Sequence, residues 1–222
     1  MENMMFSPAW FFGYDTTFNI ISMFIALFIG IYSLKTYKLT KLKTHKYLSI
    51  AFFLIAISFF VLTTANLAIY YTLLKQTIHV KQFVLLVDLL KASLIGYIVI
   101  TLIAYLIITA LALKITERKT LLLIFLITLI SLIPATNRFF SFHLIALVIL
   151  GVFATPFFYR NMIEYTKLPS ILVFLSFLFL TLSHVFLLFM GINSLYYVIG
   201  TGMQVISYLM LAIQLIAVYF KK

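Results

Sequence analysis

The sequence predicts an all-α fold: an integral membrane bundle of seven transmembrane helices, amino terminus outside and carboxyl terminus inside. Three observations predict it. Of the 222 residues, 65% are hydrophobic and 9% are charged. Soluble domains run at about 45–50% and about 25%, so these charges are too few to cover a globular surface. The apolar residues come in runs near the length of about 20 that a helix needs to cross a bilayer core. The hydrophilic breaks between the runs carry most of the lysines, and basic residues near span ends resist translocation.

The break that orients the rest is residues 35–46. It holds Lys35, Lys38, Lys41, Lys43 and Lys46 and no acid. It reads as a membrane-surface basic loop on the cytoplasmic face, in contact with anionic headgroups. Residues 1–14 precede it as an outer interfacial tail. They carry Glu2 but no Lys or Arg, so the basic start of a signal peptide is absent. Trp10, Phe11, Phe12 and Tyr14 form an aromatic anchor at the membrane–water boundary.

The single transmembrane domain is then residues 15–222. Span 1 covers about 15–34 and span 2 about 47–71. A short loop with Lys75, His79 and Lys81 leads to span 3, some part of 83–113. Lys114, Glu117, Arg118 and Lys119 make the next loop, and span 4 is about 121–136, a little short. Asn137 and Arg138 make a tight turn into span 5, about 140–159, which holds Pro156 near its end. Membrane helices tolerate proline. Span 6 is about 171–190, residues 191–194 turn the chain, and span 7 is about 195–220. With the first break inside, twelve basic residues (those five plus Lys114, Arg118, Lys119, Arg160, Lys167, Lys221 and Lys222) fall on the cytoplasmic side. Four (Lys75, Lys81, Lys91 and Arg138) fall outside. Six or eight spans would break this alternation.

Direction converts sequence position into depth. Asn19, Thr63, Thr64, Asn66, Asp88, Lys91, Arg138, His143, His184 and Gln204 all land in the outer half or at its edge. The inner halves are nearly pure Ile, Leu, Phe, Val and Ala. Polar groups inside a membrane are costly and point to function. A polar ligand pocket open to the outside is therefore expected, lined by Asn66, Asp88, Lys91, Arg138, His143, His184 and Gln204. The plainer reading of Arg138, His143, Asp88 and Lys91 is interfacial solvation, with Asp88 and Lys91 paired one turn apart. In span 7, Gly200, Gln204, Ser207, Leu211 and Gln214 recur at steps of four and three. The small and polar members, Gly200, Gln204, Ser207 and Gln214, form a helix-packing stripe, because small groups let helices approach and polar ones bond across.

Composition also excludes chemistries. The net charge of +11 lies at span ends, which argues for lipid rather than nucleic acid. There is no cysteine, hence no disulfide, thiol nucleophile or cysteine metal site. Neither HExxH nor a Gly-rich phosphate loop occurs, and no catalytic residue is predicted. Span 7 lacks a lysine, which excludes a retinal Schiff base. No cofactor is predicted. The enzyme-like alternative is a haem b held by His143 and His184 in an electron-transfer subunit, although their depths match poorly. A metal site from His79, His143, His184 and Asp88 ranks below it. A second alternative is a small-solute transporter, since spans 1–3 and 5–7 flank a lone span 4 as two parallel triplets. The proline hinges and Pro-Gln motif of the SWEET transporters, which share that layout, are missing.

Two stretches carry a resemblance. One runs from Tyr32-Ser33-Leu34-Lys35 through Lys46-Tyr47-Leu48-Ser49 to Ser58-Phe59. The other runs from Leu180-Thr181-Leu182-Ser183-His184 through Tyr196-Tyr197 to Gln204 and Tyr208. They resemble small multi-span membrane proteins of archaea. Abundant Ile, Phe, Tyr and Lys with scarce Ala and Gly also has the look of an AT-rich prokaryotic genome. The layout is similar to the seven-helix membrane sensor region of some histidine kinases. Together with the outward polar pocket, the expectation is a multi-pass protein of the cell membrane, receptor-like or accessory and not an enzyme. With no kinase domain in the sequence, signalling would need a protein partner at the cytoplasmic loops.

Overall fold

The computed structural model describes residues 7–8, 10–11, 13–74, 80–115, 117–132 and 137–219. Among them all regular structure is helical. The helices are α1 (Tyr14–Thr40), α2 (Lys43–Leu74), α3 (Val80–Ala112), α4 (Arg118–Leu132), α5 (Arg138–Leu147), α6 (Thr155–Tyr165), α7 (Leu168–Leu188) and α8 (Ser194–Tyr219). A π segment, Val148–Ala154, joins α5 to α6, so 138–165 runs as one rod. Six helices are long and apolar enough to cross a membrane: α1, α2, α3, this rod, α7 and α8. At 15 residues, α4 is about 22 Å long, short of a bilayer core of about 30 Å. The polypeptide is a multi-pass membrane protein. The predicted end of span 4 at 133–136, the loop residues Lys75 and His79, and Lys221 and Lys222 lie outside the described residues.

The helices overrun the predicted spans. α1 continues to Thr40 and α2 starts at Lys43. Most of the basic stretch is therefore the ends of two helices around Lys41 and Leu42, not a loop. Lysine and leucine are good helix formers, and the stretch contains neither Gly nor Pro to stop them. The chain reverses where Lys41 takes a left-handed conformation, φ 59°, with its N–H bonded to Tyr37 O at 2.7 Å. All five lysines are exposed.

Mean hydropathy is +1.20, and apolar side chains cover both the outside and the inside. Phe24, Leu85, Leu123, Ile130 and Val152 are exposed, as lipid-facing groups should be. The interior is chosen by close approach and by polar contacts between helices. In the α1/α2 hairpin, Ser49 Oγ donates to Gly30 O at 2.8 Å. Between α2 and α3, Thr101 Oγ1 donates to Ser58 Oγ at 3.0 Å, and Ser58 Oγ donates to Ile55 O. Between α7 and α8, Ser207 Oγ donates to Ser176 O at 2.8 Å. Each pair removes a hydroxyl from hydrocarbon. Such bonds are worth about 0.6 kcal/mol and at most about 1.7 kcal/mol in a membrane. Ser58→Ala and Thr101→Val are each expected to cost that much. The double variant should cost about the same as either alone, as read by equilibrium unfolding in micelles; additive losses would mean the pair does not act as a unit.

The π segment precedes Pro156. Thr155 N–H bonds to Leu150 O, five residues back. A proline has no N–H and its ring collides with the carbonyl four residues earlier, so a widened turn there relieves both problems. It also admits α7. A side-chain carbon at Gly151 would lie 3.1 Å from Thr181 Cγ2, and Thr155 Oγ1 and Thr181 Oγ1 are 2.9 Å apart.

Candidate functional site: a buried histidine–tyrosine cluster

Four helices bring polar groups to one interior region. On α5, Phe139, Phe142, His143 and Ala146 are buried, the spacing of a single helix face. On α7, Ser176, Phe177, Leu180, Thr181, Ser183, His184 and Leu187 face inward. α3 supplies Tyr97, Thr101 and Tyr105, and α8 supplies Gly200, Gln204, Ser207 and Tyr208. Gly200 sets the α7–α8 distance. A carbon added there would lie 2.6 Å from Leu187 Cγ and 3.1 Å from Ser183 O.

His143 and His184 are 1% and 0% exposed. Their Nδ1 atoms are 2.8 Å apart. On the other edge of its ring, His184 Nε2 is 3.3 Å from Tyr105 Oη. Aromatic rings wall the pair. Phe139 and Phe142 stand 4.3 Å and 4.7 Å from the His143 ring, and Phe142 is 5.6 Å from His184. Tyr97 meets Phe142 edge-on, and Phe59 of α2 closes on Tyr97 and Tyr208. Gln204 lies beside Tyr97, Tyr105 and Tyr208. Three buried polar atoms of this region, His143 Nε2, Gln204 Nε2 and Tyr208 Oη, make no close hydrogen bond, although Gln204 and Tyr208 lie near enough to each other and to Tyr105 to interact. An unmet polar group in an apolar interior costs about 1–3 kcal/mol.

Of the residues expected to line a pocket, the fold gathers His143, His184 and Gln204, linked through Tyr105. Asn66 is half-buried on α2, while Asp88, Lys91 and Arg138 are exposed. Among the described residues the buried acids and bases are Asp15, His143 and His184. Asp15 belongs to the start of α1, where Oδ1 accepts from the N–H groups of Gly13 and Thr16. The interior cluster is thus imidazole, phenol and amide. Of the packing stripe, Gly200, Gln204 and Ser207 are buried with Leu211, and Gln214 is half-buried.

The depths of the two histidines, expected to disagree, coincide. His143 is five residues into α5, which starts at Arg138, and His184 is four residues short of Leu188, where α7 ends. At 1.5 Å per residue both lie about 6–7.5 Å from their helix ends. Sequence reasoning placed the end of span 6 two residues too late. It also passed over Tyr97 and Tyr105. The chain has 14 tyrosines, and no local signal separates a buried tyrosine from one at the membrane boundary.

The pair does not fit a haem as arranged. Axial nitrogens bond the iron on opposite faces of the macrocycle, whereas these two nitrogens hydrogen-bond to each other at 2.8 Å. No group of three or more His, Cys, Asp or Glu capable of holding a metal ion occurs among the described residues. Searches against protein-family models, curated proteins and solved structures found no match to this chain.

Proposed function

We propose that this is a seven-pass cell-membrane protein, receptor-like or accessory and not an enzyme, that takes a small neutral ligand into its interior polar cluster. The observation that carries the ligand reading is the set of buried atoms on His143, Gln204 and Tyr208 that make no close hydrogen bond. The ligand is neutral because the charged candidates Asp88, Lys91 and Arg138 face away from the interior. It both donates and accepts hydrogen bonds, to match the nitrogens of His143 and Gln204 and the Tyr208 hydroxyl.

Seven crossings are supported by the relation of the first and last helices. The Phe11 and Tyr197 rings meet edge-on at 6.2 Å, and Asp15 acts electrostatically on Tyr197. The starts of α1 and α8 are therefore level, and the two helices run parallel. A chain whose first and last spans are parallel crosses an odd number of times, which supports α4 as a seventh crossing beside the six longer helices. The lysines of the α1/α2 turn put that turn in the cytoplasm among anionic headgroups, with the amino end outside and the carboxyl end inside.

Both parts are testable. The chain has no cysteine, so single cysteines report sidedness without background. Thr40→Cys is expected to react with impermeant reagents only from the cytoplasm, and Ser194→Cys only from outside. Reaction of both from one side would leave six crossings. For the ligand, the probes are short alcohols, phenols and ketones, with thermal unfolding in micelles as the readout. At 100 times its dissociation constant a binding probe adds about 2.7 kcal/mol of stability. That gain should persist in Gln214→Leu and vanish in Gln204→Leu and His184→Leu. Equal responses in all three variants would reduce the cluster to packing.

A further inference from the structure

The bonds around His184 form a chain with two allowed directions, and we infer that this chain, Tyr105–His184–His143, is a reversible proton relay inside the bundle. The argument starts from the inventory of donors and acceptors. A neutral imidazole has one N–H and one bare nitrogen. Two Nδ1–H groups cannot face each other at 2.8 Å, and neither can two bare Nδ1 atoms. One proton therefore lies between the rings, and the two neutral rings hold opposite tautomers.

In the first arrangement His143 Nδ1–H donates to His184 Nδ1, and His184 Nε2–H donates to Tyr105 Oη. His143 Nε2 is then bare, and the Tyr105 hydroxyl proton is free to point toward Gln204 and Tyr208, both of which Tyr105 lies beside. In the second arrangement every bond is reversed. Tyr105 O–H donates to His184 Nε2, His184 Nδ1–H donates to His143 Nδ1, and His143 Nε2 carries a proton. Both arrangements satisfy the same inner bonds. They differ only at the two ends, and both ends lack a close hydrogen bond or lie beside groups that lack one. His143 Nε2 makes no close hydrogen bond, and neither do Gln204 Nε2 and Tyr208 Oη.

Passage from the first arrangement to the second balances. A proton binds His143 Nε2. The Nδ1 proton crosses to His184 Nδ1, the His184 Nε2 proton passes to Tyr105 Oη, and the original Tyr105 proton is given up to a water molecule on the side of Gln204 and Tyr208. One proton enters, one leaves, and the three side chains keep their net charge. No charged group has to form and persist in the low-dielectric interior, where an isolated ion is costly. The entry end is one and a half turns from the exposed Asn137–Arg138 corner. A packing role alone would give no reason for an unpartnered nitrogen at the far end.

The test is 15N spectroscopy of the full chain, labelled at histidine, in lipid bilayers. His45→Gln and His79→Gln leave His143 and His184 as the labelled histidines. Wild-type cluster residues are expected to report both tautomers of both rings, either as two sets of signals or as population-averaged shifts. His143 and His184 should always be found in opposite forms. Tyr105→Phe removes the exit and is expected to slow exchange between the two forms, so that averaged shifts separate and exchange between separate signals is lost. Gln204→Leu should change the ratio of the two forms. A single fixed tautomer pair in the wild type overturns the relay, whatever the variants do. So does an exchange rate that Tyr105→Phe leaves unchanged in a protein that retains its helical content.

Discussion

His184→Leu is expected to destabilise the folded protein by about 1–3 kcal/mol, and His143→Leu by a similar amount, because each leaves a buried partner without its hydrogen bond. Loss of His184 strands both His143 Nδ1 and Tyr105 Oη, so it should be the costlier of the two. The double variant His143→Leu/His184→Leu removes both sides of the Nδ1···Nδ1 bond and fills the space with apolar groups of similar size. Replacing both partners together can be nearly neutral, so the double should cost less than the sum of the singles, with a coupling of about 1 kcal/mol or more. Equilibrium unfolding in micelles, run on all four proteins, measures this directly. Additive losses would separate the two rings energetically and leave the 2.8 Å approach without consequence.

Gly200→Ala is expected to be the most damaging single methyl addition in α8. The new carbon would sit 2.6 Å from Leu187 Cγ, 3.0 Å from its Cδ2 and 3.1 Å from the Ser183 carbonyl oxygen. Real carbon atoms do not approach so closely, so α7 and α8 must separate or Leu187 must leave its rotamer. Overpacking of this kind costs about 1–3 kcal/mol. Separation would also stretch the Ser207–Ser176 bond and move Gln204 away from the tyrosines. Leu187→Ala opens a cavity and is itself destabilising, but it removes the colliding atoms. Gly200→Ala should therefore cost much less in the Leu187→Ala background than in the wild type. The same loss in both would assign the effect to the Ser183 backbone. As a control, Gly202→Ala, where nothing lies within 4 Å of the added carbon, should be neutral.

Both predictions rest on contacts across helices, and those were only partly legible. Ser207 and Gly200 were readable as a seam because their spacing fits one helix face and because polar or small groups at span depth have few other uses. Gln214 follows the same spacing, yet it is only half-buried near the far end of α8; periodicity gives a face but not how far along it the neighbour extends. The depths of His143 and His184 were misread because span 5 was started two residues late and span 6 ended two residues late, each an error of about 3 Å. Asp88 and Lys91 lie one turn apart, but α3 turns both of them outward.

Composition alone determined that the chain is helical and embedded in a membrane. Where no water is present the backbone must bond to itself, and runs of about 20 apolar residues have the helix as their solution. Which side of each helix faces its neighbours was decided by tertiary packing. Lipid tails are as apolar as leucine, so burial between helices brings little hydrophobic gain and leaves no amphipathic signature. Close approach at Gly30, Gly151 and Gly200, and the few hydroxyl and imidazole bonds between helices, select the arrangement instead. Those same contacts bring His143, His184 and Tyr105, far apart in the chain, into one connected line.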